Sequence, residues 1–153
     1  MQDRRIGVRP IIWNGSGLFV VLLIREEGDG QNSYWCTPGG GLDLGESLQD
    51  GLRREVIEEL GVEPKIGKLL FIQQFASPRE ECHEELEFFF HVENWQDFVE
   101  IDLSKTTHGV QEVHEYGFFD PSSRRILPSF LSKIDISAAI DSGEVQVISY
   151  LNN

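Results

Sequence analysis

The chain is 153 residues long, with 13 basic and 26 acidic side chains and a formal net charge of −13. That length suits one domain spanning 1–153 with room for a real core, and 40% apolar and 25% charged residues with ten Phe, three Trp and three Tyr speak against wholesale disorder. The acidic balance speaks against a nucleic-acid partner or an anionic lipid surface, since both require basic patches, but permits an anionic ligand held through cations.

No apolar run follows Met1-Gln2-Asp3-Arg4-Arg5-Ile6, so no signal peptide is expected. Residues 6–13 read as a first strand. Asn14-Gly15 is a tight-turn signal, and Leu18–Arg25 answers it as a second strand. Its apolar run, Leu18 to Ile24, is the longest in the chain and too short to cross a bilayer. Asp29-Gly30 is another turn. Ser33–Thr37 reads as a short third strand stopped by Pro38-Gly39-Gly40-Gly41.

Ser47-Leu48-Gln49-Asp50 fits a capping box and opens the clearest helix. Leu48, Leu52, Val56 and Leu60 recur every fourth residue as a core-facing stripe, and Gly61 is a natural stop. Residues 66–76 read as a strand. In the next one Leu86, Phe88, Phe90 and Val92 alternate with Glu87, Phe89, His91 and Glu93, which predicts one greasy and one mixed face. Residues 94–110 are polar and irregular, and Glu112–Phe119 reads as a further strand. Pro128–Ile140 reads as a C-terminal helix with Phe130, Leu131, Ile134 and Ile140 on its apolar side, and Val145–Tyr150 as a last strand. Strands with about two helices predict a mixed α/β class, a sheet sandwiched by helices. Cys36 and Cys82 stand in no metal-binding spacing and fit a reducing compartment. The expected location is the cytoplasm, with no membrane engagement.

The chemistry is concentrated between Gly40 and Val62. Glu55, Glu58 and Glu59 sit at i, i+3 and i+4, so they project from one helical face. Three like charges there repel one another, and they lie toward the helix end where the macrodipole disfavours them. A cation in front of them removes both penalties, and carboxylate oxygens suit hard ions such as Mg²⁺ or Mn²⁺. A solvated glutamate-rich surface is the plain alternative for a lone Glu-x-x-Glu-Glu. Gly39, Gly40 and Gly41 place bare backbone beside this face, where a metal or phosphate can come close. Arg54 can pair with Glu46 and tie the loop to the helix. Gly51 leaves room for a loop folded back on the helix.

Gly40, Glu46, Arg54, Glu55, Val56, Glu58, Glu59, Gly61 and Val62 together stand at the spacing G-x5-E-x7-R-E-U-x-E-E-x-G-U, where U is apolar. This pattern resembles the Nudix box at every fixed position, and Trp35-Cys36-Thr37-Pro38-Gly39 resembles the usual approach to it. The resemblance implies a Nudix-type α/β/α sandwich around a mixed sheet, and a hydrolase that cleaves the pyrophosphate bond of a nucleoside diphosphate linked to another moiety, using Mg²⁺ or Mn²⁺. It implies Glu55, Glu58 and Glu59 as metal ligands with a backbone carbonyl near Gly40, and Glu46 and Arg54 as holders of the loop–helix geometry. For the general base it leaves open a box glutamate or a later one, Glu112 or Glu115, and Glu115 is the later residue assigned a catalytic role. His114 reads as an ordinary strand or loop side chain. A homodimer is a common arrangement among such proteins.

Substrate choice lies outside the box. Pro78 stands sixteen positions after Val62, a spacing that resembles ADP-ribose-cleaving members; a turn proline is the plain alternative. Arg79, with Arg4, Arg5 and Arg9, is a candidate for phosphate contact, against the alternative of free solvated guanidinium groups. Trp35 and Phe75 are candidates to stack on a base, while Trp13 reads as core. The expected partner is a nucleotide-type small molecule, with ADP-ribose-like or nucleotide-sugar substrates placed ahead of nucleoside triphosphates. A non-catalytic sensor on the same fold would be expected to lack box carboxylates, and all four are present.

Overall fold

In the computed structural model, which describes residues 3–27 and 30–151, the first strand (β1, Arg4–Ile11) does not ladder with the second (β2, Leu18–Glu27). The chain turns at Asn14, where the Asn14 side chain accepts the Ser16 and Gly17 N–H groups at 2.9 and 2.7 Å, and Gly15 takes a positive φ of 99°. Among the described residues the two arms are joined by the bridge Trp13 to Leu18 and by the Phe19 N–H donated to the Ile12 carbonyl at 2.9 Å. The expected hairpin is therefore a corner, and its arms belong to two different sheets.

The remaining strands are β3 (Gly30–Cys36), β4 (Gly40–Gly41), β5 (Ile66–Ala76), β6 (Glu84–Val92), β7 (Val113–Phe119), β8 (Ile126–Leu127) and β9 (Gln146–Ser149). One sheet runs β4-β1-β6-β5-β9 and the other β7-β2-β3-β8. Both are mixed: β1 and β6 are parallel while β5 and β6 are antiparallel, and β3 is antiparallel to β2 but parallel to β8. The Asp29-Gly30 turn signal lies partly outside the described residues.

Helix α1 (Leu48–Leu60) follows from its sequence. The Ser47 hydroxyl accepts the Asp50 N–H at 3.1 Å, and Gly61 closes the helix at φ 71°. Its apolar stripe, Leu52, Val56 and Leu60, packs with Val8, Ile12, Phe19, Phe90 and Val92. A second cluster, Ile11, Leu18, Val20, Leu70, Phe71 and Phe89, lies under Phe130, Leu131, Ile136 and Ala139 from the C-terminal region. Helical segments therefore cover opposite sides of the sheets, the layered α/β arrangement expected.

The C-terminal expectation needs correction. Pro128–Ile140 is not one helix. A 3-10 turn at Ser129–Ser132 ends at Lys133, and a short helix starts afresh at Ile136. The Ser132 hydroxyl donates to the Ser129 carbonyl at 2.8 Å, and the Asp135 carboxylate accepts the Ala138 N–H at 3.0 Å. These side chains compete with the backbone ladder and reset it. This short helix is α3 (Ile136–Asp141), and α2 (Gly109–Glu112) lies between it and α1. The mixed face of β6 is buried over its first half, where Glu85 and Glu87 are each 4% exposed, while His91 is half-buried and Glu93 exposed. Among the described residues, no helix is long and apolar enough to cross a membrane.

Candidate active site

A cleft of about 1320 Å³ opens between the acidic face of α1, the glycine loop and the ends of β1, β6 and β5. Arg54 organises its helical wall. Its Nε and Nη2 donate to Glu46 at 2.8 and 2.9 Å, Nη2 also reaches the Gly41 carbonyl at 3.0 Å, and Nη1 donates to Glu55 at 2.9 Å and Glu58 at 3.2 Å. One guanidinium thus fastens the loop to the helix and stands between two of the three clustered carboxylates. Its hydrogen bonds to Glu46 hold its pKa above the ordinary arginine value, and the same contacts hold the Glu46 carboxyl down at about 2.

Glu59 turns inward. It is 6% exposed and accepts the Gly39 N–H at 3.1 Å. Burial pushes its carboxyl up to about 7 and raises Glu55 as well, because neither charge is well solvated. Gly40 is required beside Glu55: a Cβ there would stand 2.5 Å from Oε2 of that carboxylate. Gly51 has the packing role expected, since a Cβ there would run into Leu42 and come within 2.9 Å of Glu46.

The donor set suits a hard dication. Glu55, Glu58 and Glu59 offer only oxygens, two of them are desolvated, and Gly40 leaves the space a side chain would fill. Among the described residues, however, no three carboxylate, imidazole or thiol groups converge as a ready-made ligand set. Glu55 and Glu58 share Arg54 Nη1, while Glu59 turns to the Gly39 N–H.

The strand wall carries a row that sequence reading missed. Cross-strand register sets Arg5 opposite Glu85 and Glu85 opposite Phe75, then Gly7 opposite Glu87 and Glu87 opposite Gln73. Glu87 is paired with Arg9, whose guanidinium also donates to the Thr37 carbonyl at 2.8 Å. Burial alone would lower the Arg9 pKa, but Glu87 beside it holds it above the ordinary value. Glu85 accepts from Arg79 at 3.1 Å and from the Ser77 hydroxyl at 2.8 Å. Acidic residues two apart in a strand gave no sign of burial; the parallel pairing of β1 with β6, which brings the Arg5 and Arg9 side chains to Glu85 and Glu87, explains it.

Of the other expected site residues, Arg79 and Phe75 line the cleft. Trp35 does not: Tyr34 and Cys36 face the cleft, and strand alternation sends Trp35 to the opposite side, edge-on to Phe119 at 4.9 Å with Arg124 5.0 Å away. Trp13 is partly buried, as its core reading required, and its indole N–H donates to Ser137 at 2.9 Å. Glu115 is exposed on β7 opposite Leu22, outside the cleft lining, whereas Glu112 and His108 belong to that lining. His108 Nδ1 lies 3.5 Å from the Glu58 carboxylate, and the His108 backbone N–H donates to the Glu58 backbone carbonyl at 3.0 Å.

Residues 3–137 match the NUDIX domain. The chain is 37% identical over 83 residues to the mouse protein named diphosphoinositol polyphosphate phosphohydrolase 3-alpha, covering 52% of this chain and 49% of that protein. It is 40% identical over 63 residues to nucleoside triphosphatase NudI of Enterobacter sp., covering 40% of this chain and 42% of that one. The chain thus spans about half the length of the curated relatives it matches. Among solved structures, the E. coli ORF135 protein superposes with TM-score 0.65 at 17% identity over 94% of each chain. UDP-X diphosphatase gives TM-score 0.66 at 17% identity over 97% of this chain and 68% of that one. These likenesses are ones of fold, and with the domain match over residues 3–137 they place the chain in the NUDIX domain family.

Proposed function

We propose that the protein is a divalent-cation-dependent hydrolase of a phosphoanhydride bond, acting on a nucleoside diphosphate joined to a second group, such as a nucleotide sugar or ADP-ribose. The observation that carries this reading is the set Glu55, Glu58 and Glu59, folded against the glycine loop through Arg54 and Glu46 and opening on a cleft. The relatives are named for phosphohydrolase and nucleoside triphosphatase activity, which supports phosphoanhydride chemistry.

Glu55, Glu58 and Glu59, with a backbone carbonyl at Gly40, would hold Mg²⁺ or Mn²⁺. Such ions neutralise a diphosphate and lower the pKa of bound water. Arg54 and Glu46 set the spacing between loop and helix on which the carboxylates depend. Arg79 and Phe75 supply contacts on the strand wall. Glu112, through its place in the cleft, supports a proton-accepting role better than Glu115 does.

A second reading, removal of pyrophosphate from a nucleoside triphosphate, draws support from the likeness to NudI. A panel of nucleotide sugars, ADP-ribose and nucleoside triphosphates, assayed with Mg²⁺, Mn²⁺ and chelator, tests both. Nucleoside monophosphate plus a phosphorylated sugar is the expected product pair. Pyrophosphate released from triphosphates alone favours the second reading, and no metal-dependent turnover of any kind overturns both.

A further inference from the structure

Residues 106–112 rest on the last turn of α1. The His108 backbone N–H donates to the Glu58 backbone carbonyl at 3.0 Å, supplying one of the donors that a helix C-terminus lacks. The His108 carbonyl in turn accepts the Gln111 and Glu112 N–H groups, each at 3.1 Å, so one residue closes α1 and opens α2. Gly109 is buried against the Glu59 backbone carbonyl: a Cβ there would stand 1.9 Å from that oxygen and 2.6 Å from Thr106 Oγ1. Its φ lies outside the left-handed region, so space and not backbone conformation demands the glycine. On the other side of Glu112, Val113 is 6% exposed and pairs with Leu23 of β2. Glu112 is thus held between helix and sheet, on the lining of the cleft. Burial raises the Glu59 carboxyl, and the charges of Glu55 and Glu112 raise it further, which sets Glu112 beside the helical carboxylates.

We propose that Gly109 is a positioning residue for hydrolysis: its bare Cα docks residues 106–112 on α1 and through that contact fixes Glu112 against the carboxylate face of the helix. The inference rests on the hydrolase reading and on the proton-accepting role given there to Glu112. The carbonyls that receive the segment belong to Glu58 and Glu59, so Glu112 takes its place from the backbone of the same two residues whose side chains would hold the cation. Any side chain at 109 breaks this gauge. Relief of the contact from 1.9 Å to an ordinary 3.4 Å moves the segment by about 1.5 Å. A general base works only within hydrogen-bond reach of the proton it takes, and a misplacement of about 1 Å can cost on the order of a hundredfold in rate. Glu55, Glu58 and Glu59 stand on the helix itself and keep their spacing when the segment shifts.

A double-mutant cycle of Gly109→Ala and Glu112→Gln on the full chain tests this, read by steady-state kinetics, Mn²⁺ calorimetry and amide hydrogen exchange. Each single variant is expected to lower kcat by about tenfold or more, with KM and Mn²⁺ affinity within about twofold of wild type. The double variant is expected to fall no further than Glu112→Gln alone, because the glycine acts through the glutamate. Losses that multiply overturn the inference, as does an unchanged kcat in either single variant or a parallel loss of Mn²⁺ uptake in Gly109→Ala. Exchange measured in chelator reads the docking without turnover. The wild-type His108 amide is expected to exchange on the order of tenfold or more slowly than in the unfolded chain, with Gly109→Ala losing that protection and Glu112→Gln keeping it. An unprotected His108 amide in the wild type overturns the inference even where Gly109→Ala does not fold, and so does full protection in a folded Gly109→Ala. Absence of metal-dependent turnover in the wild type removes the hydrolase reading itself, whereas turnover with multiplying losses removes only the role of Gly109.

Discussion

Arg54 and Glu46 face each other fork to fork, Nε to Oε2 at 2.8 Å and Nη2 to Oε1 at 2.9 Å, across the junction of glycine loop and helix. Such a pair fixes direction as well as distance, which a lysine cannot reproduce. Arg54→Lys is expected to keep the helix but lower kcat by more than tenfold, with Glu55 and Glu58 losing their shared donor. Steady-state kinetics beside circular dichroism checks this, and unaltered kcat would remove the clamp from the mechanism.

The same pair predicts a pH signature. The Glu46 carboxyl sits at about 2, below its ordinary 4.5, so its contribution to stability is fully present above pH 4.5 and fades as pH falls toward 2. Wild type and Glu46→Gln are therefore expected to differ most in Tm above pH 4.5 and to converge near pH 2. A Tm gap that stays constant across that range would contradict the assignment.

Glu58→Gln is expected to lower kcat by orders of magnitude with Tm within a few degrees of wild type. The variant retains the shape of the side chain and loses the anionic charge toward a cation. The paired measurement is Mn²⁺ affinity by calorimetry. Full activity with unchanged Mn²⁺ uptake would remove Glu58 from the ligand set.

Glycine substitutions should separate fold from site. Gly51→Ala gains about 1 kcal/mol of helix propensity, but overpacking against Leu42 and Glu46 costs about 1–3 kcal/mol, so a neutral or lower Tm is expected rather than the usual gain. Gly40→Ala puts a Cβ 2.5 Å from the Glu55 carboxylate, which must swing off its Arg54 hydrogen bond, so metal-dependent turnover should fall with a smaller change in stability. Urea unfolding and phosphate release together distinguish the two.

Arg9 and Glu87 form a pair largely hidden from water, with side chains 19% and 5% exposed. Arg9→Met strands the Glu87 charge and is expected to cost about 3–5 kcal/mol, whereas the double change Arg9→Met with Glu87→Leu should recover most of it. Denaturant melts of the three variants check this. Additive losses would show that the two residues do not act as a pair.

Much of the helical wall was legible in the sequence, because a helix writes its faces into local spacing. Glu55, Glu58 and Glu59 could be placed together from i, i+3 and i+4 alone, and Gly51 could be assigned to the folded-back loop. The strand wall was not legible. Burial of Glu85 and Glu87 depends on β1 lying parallel to β6, a pairing between residues about eighty positions apart that no local pattern encodes. Trp35 was misplaced for a related reason: its position in the approach to the glycine loop said nothing about which side of β3 faces the cleft. The C-terminal helix was over-read because Phe130, Leu131, Ile134 and Ile140 have helical spacing, while Ser132 and Asp135 interrupt the ladder with their own hydrogen bonds.

Loop and helix, residues 39–59, form one continuous stretch of chain, whereas Arg5, Gln73 and Glu85 come from three separate strands. Substitution on any one of these strands therefore leaves in place the local geometry of loop and helix, which Arg54 and Glu46 set within that single stretch.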